Sequence, residues 1–348
     1  MDAAKKMAQK TPAISIFSKA ISMKAVLCRR FGPPESLELA DLPDPVPAKG
    51  EVVVDIAAAA LNFFDTLIIA GKYQYKPEFP FSPASEFSGT ISAVGPGVSG
   101  FKVGDKVCGY TGHGAACEKL AVSAERLVLV PPTLDLDRAA GIFVTYGTTI
   151  HALQDRAKIR PGETLAVLGA AGGTGLAAIE LGKVLGARVI ACASSKDKLD
   201  FCRKHGADEV IDYSKEDLKE RLRELTDGKG VNVVYDPVGG PYAEPALRST
   251  AWEGRFLVIG FAAGEIPKIP LNLALLKGCE IVGVFWGEFI RRHPDRLRAQ
   301  IKNILNWVHE GKLSAYVDAS YPFEQTSEAL KAIGARKIKG KVLLKPKV

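Results

Sequence analysis

The residues most suited to chemistry are Gly169-Ala170-Ala171-Gly172-Gly173-Thr174-Gly175. Glycines allow a tight turn and leave backbone N–H groups accessible. At the start of a helix, those groups and the helix dipole can receive a pyrophosphate. The spacing fits G-x-G-x-x-G through Ala170, Gly172 and Gly175, with alanine in the first place. Glycine spacing alone is a weak signal and gains meaning only between a strand and a helix. Both flanks are present. Thr164 to Leu168 is a short apolar run of buried-strand type, and Leu176, Ile179, Leu181, Val184 and Leu185 give a helical stretch that Gly186 stops. Arg188 to Ala193 reads as a second strand, which completes a βαβ dinucleotide unit with Gly172, Gly173, Thr174 and Gly175 at its turn.

The end of the second strand separates NADH from NADPH. An NAD-preferring fold carries Asp or Glu there, about 20 residues past the glycines, to accept from the ribose hydroxyls. Ala193 stands at that place and cannot accept. Ser194-Ser195-Lys196-Asp197-Lys198 follows, with hydroxyl donors and ammonium groups that suit a 2′-phosphate. The expected cofactor is NADPH.

Metal chemistry is not expected. The six cysteines form no C-x-x-C pair, and the five histidines are scattered without ligand spacing. Most of the cysteines sit in apolar, strand-like contexts, as buried free thiols do, which points to a reducing, cytoplasmic compartment. The net charge of +7 is diffuse, without a block of like charges. Arg336, Lys337, Lys339, Lys341, Lys345 and Lys347 read as scattered surface charge, and no aromatic–basic stacking pattern accompanies them, so nucleic acid is not an expected partner.

These residues need elements to position them. At 348 residues, 47% hydrophobic and 24% charged, the chain suits two domains with ample core. It has no unbroken apolar run of membrane-spanning length. From Met23 to Val130, short strand patterns alternate with Gly and Pro, which suggests a compact β-rich domain. After Pro131-Pro132, strands and helices alternate through Phe285, which predicts a doubly wound parallel sheet of six strands. Glu288 to Gly311 reads as one long amphipathic helix, and strand-like pieces at Ala315–Val317 and Lys341–Leu344 return to the first domain. The expected organisation is an extension over 1–22, a discontinuous β-rich domain over 23–145 and 287–348, and a dinucleotide domain over 146–286. The extension carries Lys5, Lys6, Lys10 and Lys19 against Asp2 and is expected to be disordered.

Ordered, correctly spaced motifs run through nearly all of this from Met23 on. They are Met23-Lys24-Ala25-Val26; Asn62-Phe63-Phe64-Asp65; Glu86 with Gly89; Val94-Gly95 and Gly97-Val98; Gly104-Asp105-Lys106-Val107; Thr145-Tyr146; Ala170 to Gly175; and Val234-Tyr235-Asp236 with Gly239-Gly240. In these the chain resembles the zinc-free medium-chain dehydrogenase/reductases of the NADPH:quinone oxidoreductase (zeta-crystallin-like) branch. The resemblance implies a GroES-like catalytic domain beside a Rossmann domain. It implies phosphate contacts at Ser194, Lys198 and Tyr213, the nicotinamide at Thr145, and a crevice lined by Gly260, Phe261 and Ala262. Phe285, Trp286 and Arg336 are implied beside the cofactor, and a homodimer is implied through the strand Ile281–Phe285.

The departures from the zinc-dependent relatives are informative. Those enzymes hold zinc with a Cys shortly before the position of Asp65, a His before Glu86 and a Cys near Ala140. Here the regions offer Asn62-Phe63-Phe64, Ser85 and no Cys between Ala139 and Thr149, and the four-cysteine loop expected after Gly109 is missing. Hydride must then reach an electrophile that delocalises its own developing charge, such as a quinone or an enone. Asn62 is the candidate donor to the substrate oxygen, and Tyr73 the candidate aromatic at the pocket mouth. Asp65 is read as orienting local backbone, and no proton donor is assigned. Leu67 stands where some quinone oxidoreductases have tyrosine. Two alternatives stay open: an NADPH-dependent alkenal or enoyl double-bond reductase, and an NADPH-binding protein that is structural or binds RNA.

Overall fold

The computed structural model describes residues 22–346; of the extension expected over 1–22, positions 1–21 lie outside the described residues. Ser22, placed in that extension by sequence, instead opens the first strand. β1 (Ser22–Leu27) and β2 (Glu38–Pro43) form an antiparallel ribbon. β3 (Glu51–Leu61), β4 (Glu86–Val94), β5 (Lys106–Tyr110), β6 (Lys119–Ser123) and β7 (Leu127–Leu129) build an antiparallel meander. The alanines of β3 are small for a reason: Ala58 and Ala60 pack directly on Ala140 and Leu343, so strand and helix backbones approach closely.

The dinucleotide lobe holds β8 (Thr164–Leu168), β9 (Arg188–Ala193), β10 (Glu209–Asp212), β11 (Val231–Asp236), β12 (Thr250–Val258) and β13 (Glu280–Gly283). All pairings are parallel, in the order β10-β9-β8-β11-β12-β13, and helices cover both faces. The apolar runs of β8 and β11 are buried throughout their centres, as a doubly covered sheet requires. The strand order reverses between β8 and β11, so a crevice opens beyond their carboxyl ends. The chain then returns to the first lobe with β14 (Val317–Pro322) and β15 (Lys341–Lys345), where β15 pairs antiparallel with β3 through Leu61, Ala60 and Ala59.

One sequence expectation is corrected and two regions are sharpened. The helix expected over Glu288–Gly311 is two helices, Trp286–Arg292 and Pro294–His309, because Pro294 has no N–H to continue the first and is accepted at the start of the second. The second of these was expected with the β-rich domain. Its apolar face (Leu297, Ile301, Ile304, Leu305, Val308) lies in a core that joins β5 and β7 of the first lobe to helix Ile142–Ile150 and the parallel sheet. The helical region after Leu136 is broken at Gly141 into Leu136–Ala140 and Ile142–Ile150, followed by a wider turn over His151–Arg156.

Candidate active site

A cleft of about 280 Å³ lies between the lobes at the switch point of the parallel sheet. Gly169 follows β8 and Pro237 follows β11, and both border it. The turn after β8 brings Gly172, Gly173 and Thr174 to its wall, at the start of helix Gly173–Val184. Gly175 is not on the wall; it is where the turn is tightest. A Cβ there would lie 2.4 Å from the Gly169 carbonyl oxygen and 2.7 Å from the Ala170 Cα, so only glycine lets the helix rise this close to the turn. Ala170 is fully buried behind the wall.

One end of the cleft is cationic. Ala193 ends β9 there, and Ser194, Lys198, Tyr213 and Arg336 share the wall with it. Lys198 Nζ donates to the Arg336 carbonyl at 2.9 Å, and the Arg336 guanidinium donates to the Ala262 carbonyl at 2.9 Å. Ser195 caps helix Lys196–Lys204. Tyr213 packs on Tyr242 with ring centroids 4.1 Å apart, and burial pushes its phenol pKa up, so it stays a neutral hydroxyl. A strap from the β-rich lobe spans the cleft between Arg336 and Lys341, and the Gly340 N–H bonds to the Ala171 carbonyl at 2.9 Å. These are the groups a phosphorylated dinucleotide requires: bare turn N–H groups, hydroxyls and two cations at the ribose end, and no carboxylate where Ala193 stands.

The other end holds Asn62 and Thr145 together with Lys341. Thr145 lies in helix Ile142–Ile150, where its hydroxyl bonds to the Gly141 carbonyl at 2.7 Å. Asn62 immediately precedes helix Phe63–Ile69, and its side chain is engaged on both sides by charged groups from other elements. Its Nδ2 donates to Glu86 Oε1 at 2.9 Å, and its Oδ1 accepts from Lys341 Nζ at 2.7 Å. Lys341 Nζ also donates to Glu86 Oε1 at 2.7 Å and to the Leu61 carbonyl at 3.1 Å. Glu86 Oε2 accepts the Val144 N–H at 2.9 Å, so one carboxylate ties β4 and β15 to the helix of Thr145. The pair is fully enclosed: the Lys341 side chain is 6% exposed and that of Glu86 0%. Below them Asp65 accepts the Asn62 backbone N–H at 2.7 Å. Burial raises the Asp65 pKa to about 7, against the lowering effects of the Asn62 N–H and the Lys341 charge.

Several residues singled out by sequence lie elsewhere. Of Gly260, Phe261 and Ala262, only Ala262 borders the cleft. Phe285 is 61% exposed and Trp286 is buried edge-on against Tyr110 with ring centroids 5.0 Å apart; neither borders the cofactor cleft. Phe285 lines a second cavity of about 500 Å³ with Phe64, Tyr73, Tyr110 and Phe143. Tyr73 lines this second cavity, stacked on Phe64 at 5.6 Å. Lys341, read from sequence as surface charge, is the largest correction. A lysine at the start of a strand gives no sign that it will be buried, because its acceptors are some 255 to 280 positions away.

No cluster of three or more His, Cys, Asp or Glu side chains among the described residues is arranged to hold a metal ion. Ser85 precedes Glu86, and its buried hydroxyl has no hydrogen-bond partner among the described residues. A lone hydroxyl with one ion-paired carboxylate does not make a zinc site.

Comparison with known proteins agrees with this geometry. The alcohol dehydrogenase GroES-like domain family matches residues 48–150, and the zinc-binding dehydrogenase family matches residues 173–309. The second description names a metal that the donor set here does not fit. A quinone oxidoreductase-like protein 2 homolog of Nematostella vectensis is 38% identical over 94% of this chain and 90% of its own length. A quinone oxidoreductase of Pseudomonas aeruginosa is 34% identical over 93% of this chain and 99% of its own. Among solved structures, Escherichia coli quinone oxidoreductase complexed with NADPH superposes with a TM-score of 0.86 at 30% identity, over 93% of this chain and all of that one.

Proposed function

The chain belongs to the quinone oxidoreductase family of medium-chain dehydrogenase/reductases, and from that membership we propose that it is an NADPH-dependent reductase that passes hydride to a quinone without zinc. The observation that carries the cofactor half of this reading is the cationic end of the cleft. Ser194, Lys198, Tyr213 and Arg336 converge there beside Ala193, and no carboxylate competes with a 2′-phosphate. Gly172, Gly173 and Thr174 would hold the pyrophosphate, and Thr145 would flank the nicotinamide. When bound, NADPH supplies the hydride. Asn62 then donates a hydrogen bond to the substrate oxygen as negative charge grows on it, and the enclosure by Leu61, Phe63 and Val342 keeps the local dielectric low, which strengthens that bond.

The test is an initial-rate panel of quinones and 2-alkenals, each with NADPH and with NADH, followed at the reduced-nicotinamide absorbance. Turnover of quinones with NADPH is expected. Faster turnover of 2-alkenals would move the assignment to a double-bond reductase. Equal rates with NADH would reject the phosphate role of Ser194, Lys198 and Arg336.

The same reading extends to assembly and setting. The unpaired edge of β13 adjoins exposed apolar side chains (Trp252 at 71%, Leu275 at 79%), and we read this face as the joint of a homodimer. Six unpaired cysteines, five of them buried, support a reducing, cytoplasmic compartment. No helix among the described residues is long and apolar enough to cross a membrane.

A further inference from the structure

We propose that Lys341 is a positioning residue for the reduction: it locks the Asn62 carboxamide in the one orientation that leaves an N–H, and not a carbonyl oxygen, for the substrate. This rests on the reading of Asn62 as the donor to the substrate oxygen.

An ammonium can only donate hydrogen bonds, and it has three hydrogens to give. Lys341 Nζ has three oxygens around it: the Leu61 carbonyl at 3.1 Å, Asn62 Oδ1 at 2.7 Å and Glu86 Oε1 at 2.7 Å. The ammonium is thereby saturated and is not itself a substrate ligand. The atom of Asn62 that faces it must be the oxygen. The carboxylate of Glu86 supplies the opposite constraint, because its oxygen at 2.9 Å from the other amide atom requires that atom to be nitrogen. The two restraints agree, and a flipped amide would set oxygen against carboxylate and NH₂ against ammonium. Asn62 Nδ2 carries a second hydrogen that has no protein partner among the described residues, on a residue that borders the cleft. A zinc-dependent relative would polarise the carbonyl with its metal. Here a buried cation acts one step removed, through the amide it orients.

Glu86 shares its Oε1 between Lys341 and Asn62 and gives Oε2 to the Val144 N–H, next to Thr145. The ion pair therefore sets both flanks of the reaction site from a single buried point. Removing Lys341 alone would leave a buried carboxylate without its cation, and such a variant can fail to fold. The informative variant is E86Q/K341M, which removes both charges together. The amide introduced by E86Q can donate as well as accept, so it no longer dictates which way Asn62 points.

The experiment is a cycle of four proteins: wild type, N62A, E86Q/K341M and the triple variant. Each is assayed for quinone reduction and for NADPH affinity by nucleotide fluorescence. N62A is expected to lose on the order of 100-fold in kcat, the scale of one lost donor to a developing oxyanion. E86Q/K341M is expected to lose a comparable factor with NADPH affinity held within about threefold, and to have little further effect in the N62A background, because residues that act through one another are non-additive. If N62A keeps wild-type kcat, the reading of Asn62 fails and the proposal with it. If N62A is impaired but E86Q/K341M turns over at the wild-type rate, or adds its full loss to that of N62A, Asn62 is the donor and Lys341 does not position it.

Discussion

At the scale of single residues, two ionic features carry measurable consequences. Lys198 and Arg336 meet at the end of the cleft where Ala193 replaces an acid. K198A is expected to raise the KM for NADPH by roughly 10- to 100-fold, the range of one lost charge-assisted hydrogen bond, and to leave the KM for NADH within about twofold. Steady-state kinetics with both nucleotides checks this. Asp65 gives a pH signature. Its pKa rises from an ordinary 3.8 to about 7 through burial. Across that window the native state holds a proton that the unfolded chain has lost, so this group makes stability fall as pH rises from about 4 to about 7. D65N keeps the shape and an acceptor for the Asn62 N–H but has nothing to titrate. Its unfolding free energy relative to wild type should improve on going from pH 5 to pH 8, by on the order of a few kcal/mol, as read by urea melts at both pH values. Equal differences at the two pH values would show that Asp65 is not the titrating group.

At the scale of elements, the turn after β8 and the strap before β15 define the cleft. The turn was fully legible in sequence, because its constraint is local: glycines at positions where a side chain would strike the backbone. In G175A the new Cβ would meet the Gly169 oxygen at 2.4 Å and the Ala170 Cα at 2.7 Å, and neither atom belongs to a flexible side chain. A loss of about 1–3 kcal/mol in stability is expected from such overpacking, with weakened NADPH binding, measured by denaturant titration and nucleotide fluorescence. The strap was legible only in part. The resemblance placed Arg336 beside the cofactor, but Lys337 to Lys341 reads in sequence as surface charge, and the backbone bond from Gly340 to Ala171 joins parts of the chain that nothing local relates. The division of Trp286–Arg292 from Pro294–His309 lies between these cases. Proline announced a break, but the amphipathic period on both sides suggested continuity.

At the scale of the whole molecule, function depends on two lobes whose contributions meet. The six-stranded lobe supplies the nucleotide turn with Ser194, Lys198 and Tyr213, and the β-rich lobe supplies Arg336, Asn62, Glu86 and Lys341. The outer edge at β13 is far simpler: short, unpaired and flanked by apolar side chains. If two copies join there, I281K places like charges across the joint and should elute as a monomer on size exclusion, with NADPH affinity unchanged within about twofold. A wild-type protein that already elutes as a monomer would remove this face as a dimer joint.

The sequence by itself determined the βαβ unit, the six parallel strands, the absence of an acid at Ala193 and the absence of the usual zinc ligands, because each is a matter of residue type at a fixed local spacing. Only the tertiary structure decided that Lys341 is buried, that Glu86 and Asn62 surround it, and that Tyr73 and Phe285 line a second cavity. A lysine's charge is written in its name. Whether water or carboxylate answers that charge depends on strands that the chain brings together only when β15 pairs with β3.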